Sequence, residues 1–225
     1  NWTFSVAGDY TYDSAKIEVT GGVAQLIGNT GGVIDGNTKG MWHLDEASGN
    51  IIDYSGNLNN LTNVQGSPVY SQTGKFGTSL QFNGNSSRYL PNGQQTGLGI
   101  TGAITIDAWI YRTAAATAVE GVITKWRETG NKRSYALAVN TTNHLTLYLS
   151  SNGIAQTTLA AGNTVPLNAW VHVAGVYDGT NMRVFQNGAL EGTLAYTSGI
   201  SSQSSFVGVS GADVLAGGNA FFNGK

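Results

Sequence analysis

Apolar and polar residues alternate along much of this chain, in short stretches that turn residues interrupt. In one clear stretch, Ile104, Ile106 and Ile110 fall on one side of an extended backbone, because successive side chains of a strand point to opposite faces. Asp107 and Trp109 fall on the other side. The alternation predicts a strand with one face in a core and one amphipathic face.

Stretches of this kind recur at close spacing, and helical periodicity is not convincing anywhere. The predicted strands of the main body span residues 40–44, 79–82, 104–112, 121–125, 135–139, 145–150, 154–158, 170–177, 182–186, 189–193 and 205–209. The dipeptides Asp178-Gly179 and Asn187-Gly188 are typical of two-residue hairpin turns. They predict that three consecutive strands form an antiparallel meander.

The first part of the chain, residues 1–38, differs from the rest. Residues 10–12 alternate as a short strand, and residues 16–20 and 23–27 flank a Gly-Gly turn and predict a hairpin. A glycine-rich connector follows at 29–40. We therefore expect an N-terminal extension ahead of the main domain.

The remaining residues, 39–225, are expected to form one domain. Glycine accounts for 32 of the 225 residues and charged residues for only 11%, against an ordinary charged share of about 25%. This composition excludes coiled coils and helical bundles, which need charged, periodic segments. Many short strands at this spacing are typical of an all-β, two-sheet antiparallel β-sandwich of the jelly-roll type.

Charge and residue usage exclude several classes of function. The formal net charge of −2 gives no electrostatic reason to bind nucleic acid. The absence of cysteine excludes disulfides, thiolate zinc sites and cysteine nucleophiles. Since no apolar run approaches the roughly 18 residues that a spanning helix needs, membrane insertion is not expected.

Seven phrases of the sequence, taken in order, resemble the LamG-like (laminin G-like) branch of the concanavalin A-like lectin and glucanase superfamily. They are MWHLDEASG at 41–49, DYSGN at 53–57, GKFG at 74–77, ITIDAWI at 104–110, NAWVHVAGVYDG at 168–179, VFQNG at 184–188 and FFNGK at 221–225. The resemblance covers about residues 39–225. It implies a jelly-roll sandwich of the concanavalin A-like type.

The same resemblance points to a missing strand. Similar domains usually continue, after a phrase like that at 222–225, into a last strand with an acidic and an aromatic residue, and this sequence stops there. Either the sequence is a fragment of a longer surface protein, or the open sheet edge accepts a strand from elsewhere. Residues 1–38 are a candidate donor, which would lead to self-assembly.

The loop at 45–60 is a candidate metal site. It is rich in carboxylate and amide oxygens, which a hard cation such as calcium prefers, although Asp, Asn and Gly are also ordinary turn formers. The resemblance implies a structural calcium ion at Asp53 and Asn57. Asn59 and Asp213 are the further candidate ligands.

Carbohydrate recognition needs an exposed aromatic ring beside planar polar groups. Trp126 is the leading candidate because it lies at 125–133, the most charged and turn-like stretch of the chain. Arg127, Arg133 and Tyr135 complete the predicted ligand site. The alternative for the same residues is a tryptophan that covers a sheet edge beside a snorkelling arginine.

Three other tryptophans are expected to pack in the core, because Trp42, Trp109 and Trp170 fall on predicted strands that match core positions of the family. The three histidines of the chain are scattered without the spacing of metal ligands. We expect them to be ordinary strand residues.

The superfamily also contains glucanases, which hold two carboxylates about 5–9.5 Å apart across the glycosidic bond. No Glu-x-Asp-x-Glu run is present, and the adjacent Asp45 and Glu46 would point to opposite faces of a strand. Asp107 lies among apolar neighbours. Glycoside hydrolysis is therefore disfavoured, and we expect the protein not to be an enzyme.

The sequence favours a non-catalytic extracellular binding or adhesion module, at a cell or virion surface, that recognises glycans or protein partners. The alternative is a structural subunit of a filament, pilus or viral appendage that assembles by strand complementation. A binding module is expected to be monomeric and to respond to a glycan. A structural subunit is expected to polymerise or to exchange strands.

Overall fold

The chain folds into short strands, as the alternation predicts. A computed structural model describes residues 16–20, 23–27, 34–85, 88–90, 95, 97–202, 207–209 and 221–225. These residues contain strands and no helix. In chain order the strands are β1 (Lys16–Thr20), β2 (Val23–Ile27), β3 (Asn63–Gln65), β4 (Val69–Thr73), β5 (Thr78–Asn83), β6 (Arg88–Leu90), β7 (Ile104–Tyr111), β8 (Glu120–Arg127), β9 (Lys132–Val139), β10 (His144–Leu149), β11 (Thr157–Thr164), β12 (Trp170–Tyr177), β13 (Asn181–Gln186), β14 (Ala189–Ala195), β15 (Val207–Val209) and β16 (Asn223–Gly224).

A four-stranded antiparallel sheet has the order β14-β13-β12-β7. Strands β12, β13 and β14 form the predicted meander, which is thereby confirmed. Asn187 and Gly188 adopt φ angles of 49° and 80°, as a type I′ turn requires. Strand β12 also pairs with β7, and this pairing places Trp170 opposite Tyr111.

A seven-stranded sheet packs against the first one. Its order is β11-β10-β9-β8-β15-β6-β3, and β10 lies against β12 and β13 of the other sheet. The core between the sheets includes Leu137, Leu147, Val173 and Val184, all fully buried. The expected all-β sandwich with antiparallel sheets is therefore confirmed.

Some predicted strand positions differ from the structure. The predicted strand at 40–44 is reduced to one bridge between Trp42 and Asp53, because the side chain of Asp53 holds this segment in a loop. The strand predicted at 154–158 begins at Thr157 and runs to Thr164. Strands β3, β4, β6 and β16 were not expected, since none of them shows a clear alternation of apolar and polar residues.

The N-terminal hairpin is confirmed by the antiparallel pairing of β1 with β2, in which Lys16 lies opposite Ile27 and Thr20 opposite Val23. The predicted short strand at 10–12 lies outside the described residues. The boundary after residue 38 stays a prediction.

Strand β7 forms an edge of the four-stranded sheet, and a third, three-stranded sheet of order β16-β5-β4 lies beyond it. The last residues of the chain join these two sheets at one end. The backbone N–H of Tyr111 donates to the carbonyl of Lys225 (2.7 Å), and the N–H of Lys225 donates to the carbonyl of Tyr111 (2.8 Å). A cavity of about 1090 Å³ is lined by residues of β5 and β7.

Candidate functional site

The structure does not support ligand stacking on Trp126. Its side chain is only 2% exposed and packs in a small cluster with Tyr148, whose ring centroid is 6.0 Å away. The guanidinium of Arg133 lies 6.0 Å from the Trp126 ring. The expectation of an exposed ring is wrong, and the arrangement matches the alternative of a covered tryptophan beside an arginine.

The other predicted ligand residues do not gather around Trp126. Tyr135 is 2% exposed and belongs to the main core, where its hydroxyl donates to the carbonyl of Leu98 (3.0 Å) and burial raises its pKa. Arg133 is engaged by Glu128 (3.3 Å), while Arg127 is exposed at the end of β8. A ligand could reach only the arginines of this set.

The predicted metal loop is closed by hydrogen bonds centred on Asp53. One carboxylate oxygen, Oδ1, accepts the backbone N–H groups of Met41 and Ser55, both at 2.9 Å. The other oxygen, Oδ2, accepts the Ser55 hydroxyl (2.8 Å) and the Asn59 N–H (2.9 Å). Because a carboxylate has about four acceptor sites, Asp53 is saturated by protein donors.

The two asparagines of the loop also act as donors. Asn57 Nδ2 donates to the carbonyl of Thr38 (3.0 Å), and Asn59 Nδ2 donates to the carbonyl of Lys39 (2.9 Å). Hydrogen bonds to protein donors therefore account for the Asp53 carboxylate, and calcium at this loop stays a prediction. Among the described residues, no three His, Cys, Asp or Glu side chains could together hold a metal ion. Asp213, the remaining candidate, lies outside the described residues.

An exposed aromatic cluster lies instead on the outer face of β7 and β12. Trp109 is 37% exposed and Phe76 is 45% exposed, and their rings meet edge to face with centroids 6.0 Å apart. The ring of His172 lies 5.4 Å from that of Trp109. We call Phe76, Trp109 and His172, together with Lys75 and Asp107, the aromatic platform.

Polar groups surround the rings of the aromatic platform. The Lys75 ammonium lies 4.5 Å from the Trp109 ring centroid, within the range of a cation–π interaction. The Nε2 atom of His172 lies 3.2 Å from Oδ1 of Asp107, and both side chains are partly open to solvent. The platform therefore presents an apolar ring, a cation and a histidine–carboxylate pair on one accessible face.

A second aromatic pair continues the platform along β7. Tyr111 and Trp170 lie with ring centroids 5.6 Å apart, and the Lys225 ammonium lies 5.5 Å from the Tyr111 ring. Asp107, Trp109 and Tyr111 thus form one outward row, because residues two apart in a strand share a face.

Part of the aromatic platform could be predicted from the sequence. The alternation correctly placed Asp107 and Trp109 on the face opposite the core, yet Trp109 was expected to pack, and this expectation is wrong. Asp107 does not stand alone as expected, because the register of β7 and β12 brings His172 opposite Trp109 and beside Asp107. Phe76 comes from a turn 33 residues before Trp109, so no local pattern could bring the two together.

The model of a laminin G family, described as the concanavalin A-like lectin/glucanases superfamily, matches residues 82–225. No curated protein matches the chain.

In the part of the chain that the structure describes, no helix is long and apolar enough to cross a membrane.

Several solved structures share the fold. The binding domain of Paraclostridial mosquitocidal protein 1 aligns with a TM-score of 0.54 and 15% identity, over 71% of this chain and 41% of that one. The binding domain of botulinum neurotoxin DC, solved with rat synaptotagmin II, aligns with a TM-score of 0.52 and 14% identity, over 71% and 40%. The CBM40 of the Ruminococcus gnavus IT-sialidase, solved with α2,3 sialyllactose, aligns with a TM-score of 0.50 and 16% identity, over 71% and 85%.

These similarities concern the fold alone. The chain spans about 40% of the length of the two toxin domains that it matches. At identities of 14–16%, no site residue can be transferred from these structures to this chain.

Proposed function

The chain belongs to the laminin G-like branch of the concanavalin A-like lectin/glucanase superfamily, and we propose that it is a non-catalytic carbohydrate-binding module. The observation that carries the proposal is the aromatic platform, with Trp109 exposed between Phe76 and the His172–Asp107 pair. We further propose that the module works outside the cell, at a surface that displays glycans.

The chemistry of the aromatic platform suits a sugar. A sugar ring has an apolar face that stacks on an aromatic side chain, and hydroxyls that need planar polar partners. Trp109 and Phe76 supply the apolar contact, and Asp107 and His172 can accept from and donate to hydroxyls. The apolar rings and the polar groups that a sugar needs therefore lie together on the aromatic platform.

The charge on this face favours an acidic glycan. Lys75 and Lys225 both place an ammonium close to an aromatic ring of the outward row, at 4.5 and 5.5 Å from the ring centroids. Asp107 lies on the same face, and its carboxylate contacts His172 at 3.2 Å. A structural relative, the CBM40 of a sialidase, was solved with α2,3 sialyllactose, and this supports testing that acidic trisaccharide first.

Protein recognition is the second candidate. It is supported by the toxin domain of the same fold that was solved with rat synaptotagmin II. Catalysis is not proposed, because the buried Glu120 is engaged by Arg112 at 2.9 Å and Glu46 accepts the N–H of Ile52 at 2.9 Å.

The test is a calorimetric titration of the purified protein with α2,3 sialyllactose and, for comparison, with neutral lactose. The expected result is binding of the acidic sugar that weakens at least about tenfold in Trp109→Ala, the loss expected when one stacking ring is removed. Leu190→Ala is the matched control, since Leu190 is 56% exposed on the same sheet but outside the platform.

Two results would contradict the proposal. If Trp109→Ala binds as the wild type does while both remain folded, the platform is not the site. If prolonged incubation with a glycan releases new reducing ends above a protein-free control, the module is catalytic after all. Binding of a peptide ligand on a protein array, with no response to any sugar, would favour the second candidate.

A further inference from the structure

The outward face of the four-stranded sheet continues beyond the aromatic platform, from β12 to β13. Trp109 lies opposite His172, and two hydrogen bonds join His172 to Asn187, the residue that follows β13. The next row of paired residues contains Asp107, Ala174 and Phe185. Because directly paired residues of neighbouring strands point to the same side of a sheet, this second row shares the outward face with Trp109 and His172.

The side-chain amide of Asn187 has a fixed orientation. The backbone N–H of Asn187 donates to the carbonyl of His172 (2.8 Å), and the N–H of His172 donates to Oδ1 of Asn187 (3.0 Å). The side-chain oxygen takes the place that a backbone carbonyl has in a regular ladder, because the chain turns at Asn187 with a φ of 49°.

This contact also determines where the nitrogen of the amide lies. A backbone N–H can only donate, so the atom that faces His172 is the amide oxygen, and Nδ2 points away from that N–H. Among the described residues no hydrogen bond uses Nδ2, and Asn187 is exposed to solvent. Asn187 therefore presents an oriented N–H donor at the end of the row that begins with Trp109.

The second row contains a low point between a carboxylate and an aromatic ring. Ala174 is the smallest residue that β7, β12 and β13 place outward. On one side of it lies Asp107, whose side chain is open to solvent. On the other side lies Phe185, which alternates with the buried Val184 and Gln186 and is only half-buried. Ala174 thus forms a floor on which a sugar ring can lie against Phe185.

Trp109 and Phe185 are too far apart to contact the same sugar ring. They lie two strand spacings apart, about 10 Å, and are offset by two residues along the strands, about 7 Å. These two components give a Cα separation of about 12 Å. A ligand that reaches both aromatic rings must be a chain of sugars.

We propose that Phe185 and Asn187, with Ala174 as the floor, form a second subsite, so that the ligand is an oligosaccharide lying across β7, β12 and β13. This inference rests on the proposed function, in which Trp109 and Lys75 hold an acidic sugar. The neutral sugars that follow pass over Ala174, where one ring packs on Phe185 and one hydroxyl accepts from Asn187 Nδ2. The subsite ends at β13, so the Leu190→Ala control on β14 lies beyond it.

Two ligands of different length test the second subsite by calorimetry: α2,3 sialyllactose and the methyl glycoside of its acidic sugar. We expect the wild type to bind the trisaccharide at least about tenfold more tightly, because it adds a ring contact and a hydrogen bond. Phe185→Ala should weaken the trisaccharide about fivefold or more and change the affinity for the glycoside by less than about twofold. Phe185→Leu, which keeps an apolar side chain, replaces this variant if Phe185→Ala does not fold.

Asn187→Asp tests the amide without disturbing its contact with His172. An aspartate keeps the accepting oxygen and replaces the Nδ2 donor by a second acceptor, so we expect a loss of about fivefold or more for the trisaccharide. Asn152→Asp is the matched control for the added charge. Oδ1 of Asn152 likewise accepts backbone N–H groups, from Ile154 and Ala155 at 2.9 Å, in an exposed loop of the other sheet. Asn152→Asp should bind both ligands as the wild type does.

Nuclear magnetic resonance of the side-chain amides gives a second measurement on the wild type. The signal of Asn187 Nδ2 is identified by its absence in Asn187→Asp, and that of Asn152 by its absence in Asn152→Asp. We expect α2,3 sialyllactose to shift the Asn187 signal and to leave the Asn152 signal in place. An unshifted Asn187 signal at saturating trisaccharide would overturn the second subsite.

The outcomes distinguish this inference from the proposed function. If the wild type binds neither ligand, the proposed function and the second subsite are both wrong. If Trp109→Ala loses binding while Phe185→Ala and Asn187→Asp bind the trisaccharide as the wild type does, only the second subsite is wrong. Equal affinity of the wild type for the two ligands would overturn the second subsite, as would an equal loss of both ligands in Asn187→Asp, which indicates charge repulsion.

Discussion

The buried ion pair between Arg112 and Glu120 gives the sharpest prediction on stability. Arg112 is fully buried; its Nε donates to Glu120 Oε2 (2.9 Å), and its Nη2 donates to Asn143 Oδ1 (2.8 Å). A further hydrogen bond joins Nη1 to the carbonyl of Val165 (3.3 Å). The arginine thus connects the end of β7, the start of β8 and the loop after β11 at one point of the sandwich.

Arg112→Met is expected to lower the free energy of unfolding by about 3–5 kcal/mol, because removing one partner leaves an uncompensated charge in the interior. For a protein of this length the loss corresponds to a fall in Tm of about 6–20 °C. Replacing both partners, Arg112→Met with Glu120→Leu, should recover most of the loss, since no buried charge then remains.

The pH dependence of the single variant has a definite sign. Burial raises the pKa of Glu120, although Arg112 opposes this, and removing Arg112 should raise that pKa further. A carboxyl with a raised pKa in the folded state favours folding at low pH, and this contribution is lost as pH rises through the folded pKa. The deficit of Arg112→Met should therefore be smaller at pH 5 than at pH 8.

Urea denaturation followed by circular dichroism measures these differences. Arg183→Met, which removes the exposed pair with Asp178, is the control and should leave the midpoint nearly unchanged, because exposed ion pairs contribute little. A loss below about 1 kcal/mol in Arg112→Met would refute the assignment of the pair as a buried, coupled unit. A double variant in which the two losses simply add would refute it as well.

Three further predictions follow from the loop, the core tyrosine and the chain end. Tyr135→Phe removes a group whose pKa burial raises. Stability from such a group is lost as pH rises above its unfolded pKa of about 10, so the free energy of unfolding of the wild type should fall more steeply above pH 10 than that of the variant, by about 1.4 kcal/mol per pH unit. Because Asp53 is saturated by protein donors, a chelator should leave Tm unchanged, whereas Asp53→Asn should cost about 2–4 kcal/mol by turning one acceptor into a donor; a Tm that rises with added calcium would contradict this. Gly224→Ala should lower Tm by several degrees, because its φ of 151° disfavours side chains and the new Cβ would collide with the carbonyl of Tyr111; an unchanged Tm would show that β16 does not close this end of the sandwich.

The strands of the meander could be predicted because their information is local. Alternation identified the core face of β7, and the dipeptides at 178–179 and 187–188 identified two turns. The φ angles confirm the two-residue turn at 187–188, whereas at the first turn only Gly179 has a positive φ and three residues, 178–180, connect the strands. The two-residue period of a strand is enough to recognise their conformation, without knowledge of a partner that is distant in the sequence. The same reasoning found the β1–β2 hairpin around its two glycines.

The loop around Asp53 shows where composition alone falls short. Its residues offer the oxygens that calcium prefers, and the structure does bring Asp53, Asn57 and Asn59 together. Three of the four donors that saturate Asp53 are backbone N–H groups, which every residue except proline carries and no sequence pattern distinguishes. Whether such a cluster binds a cation or closes a loop depends on the path of the segment 38–41, which the loop holds by these same bonds.

The two tryptophans on opposite sheets, Trp109 and Trp126, differ in what covers them and not in their position in a strand. Both lie on the side of their sheet that faces away from the main core. Beside Trp126, however, β9 is apolar on both faces and buried along most of its length, which indicates that a second layer of chain covers it. Beside Trp109 the outward positions of β7 are polar, with Thr105 and Asp107 exposed. An aromatic residue in a polar row is thus a stronger candidate for ligand binding than one in a charged turn, because polar neighbours indicate a face that the described part of the fold leaves open to solvent.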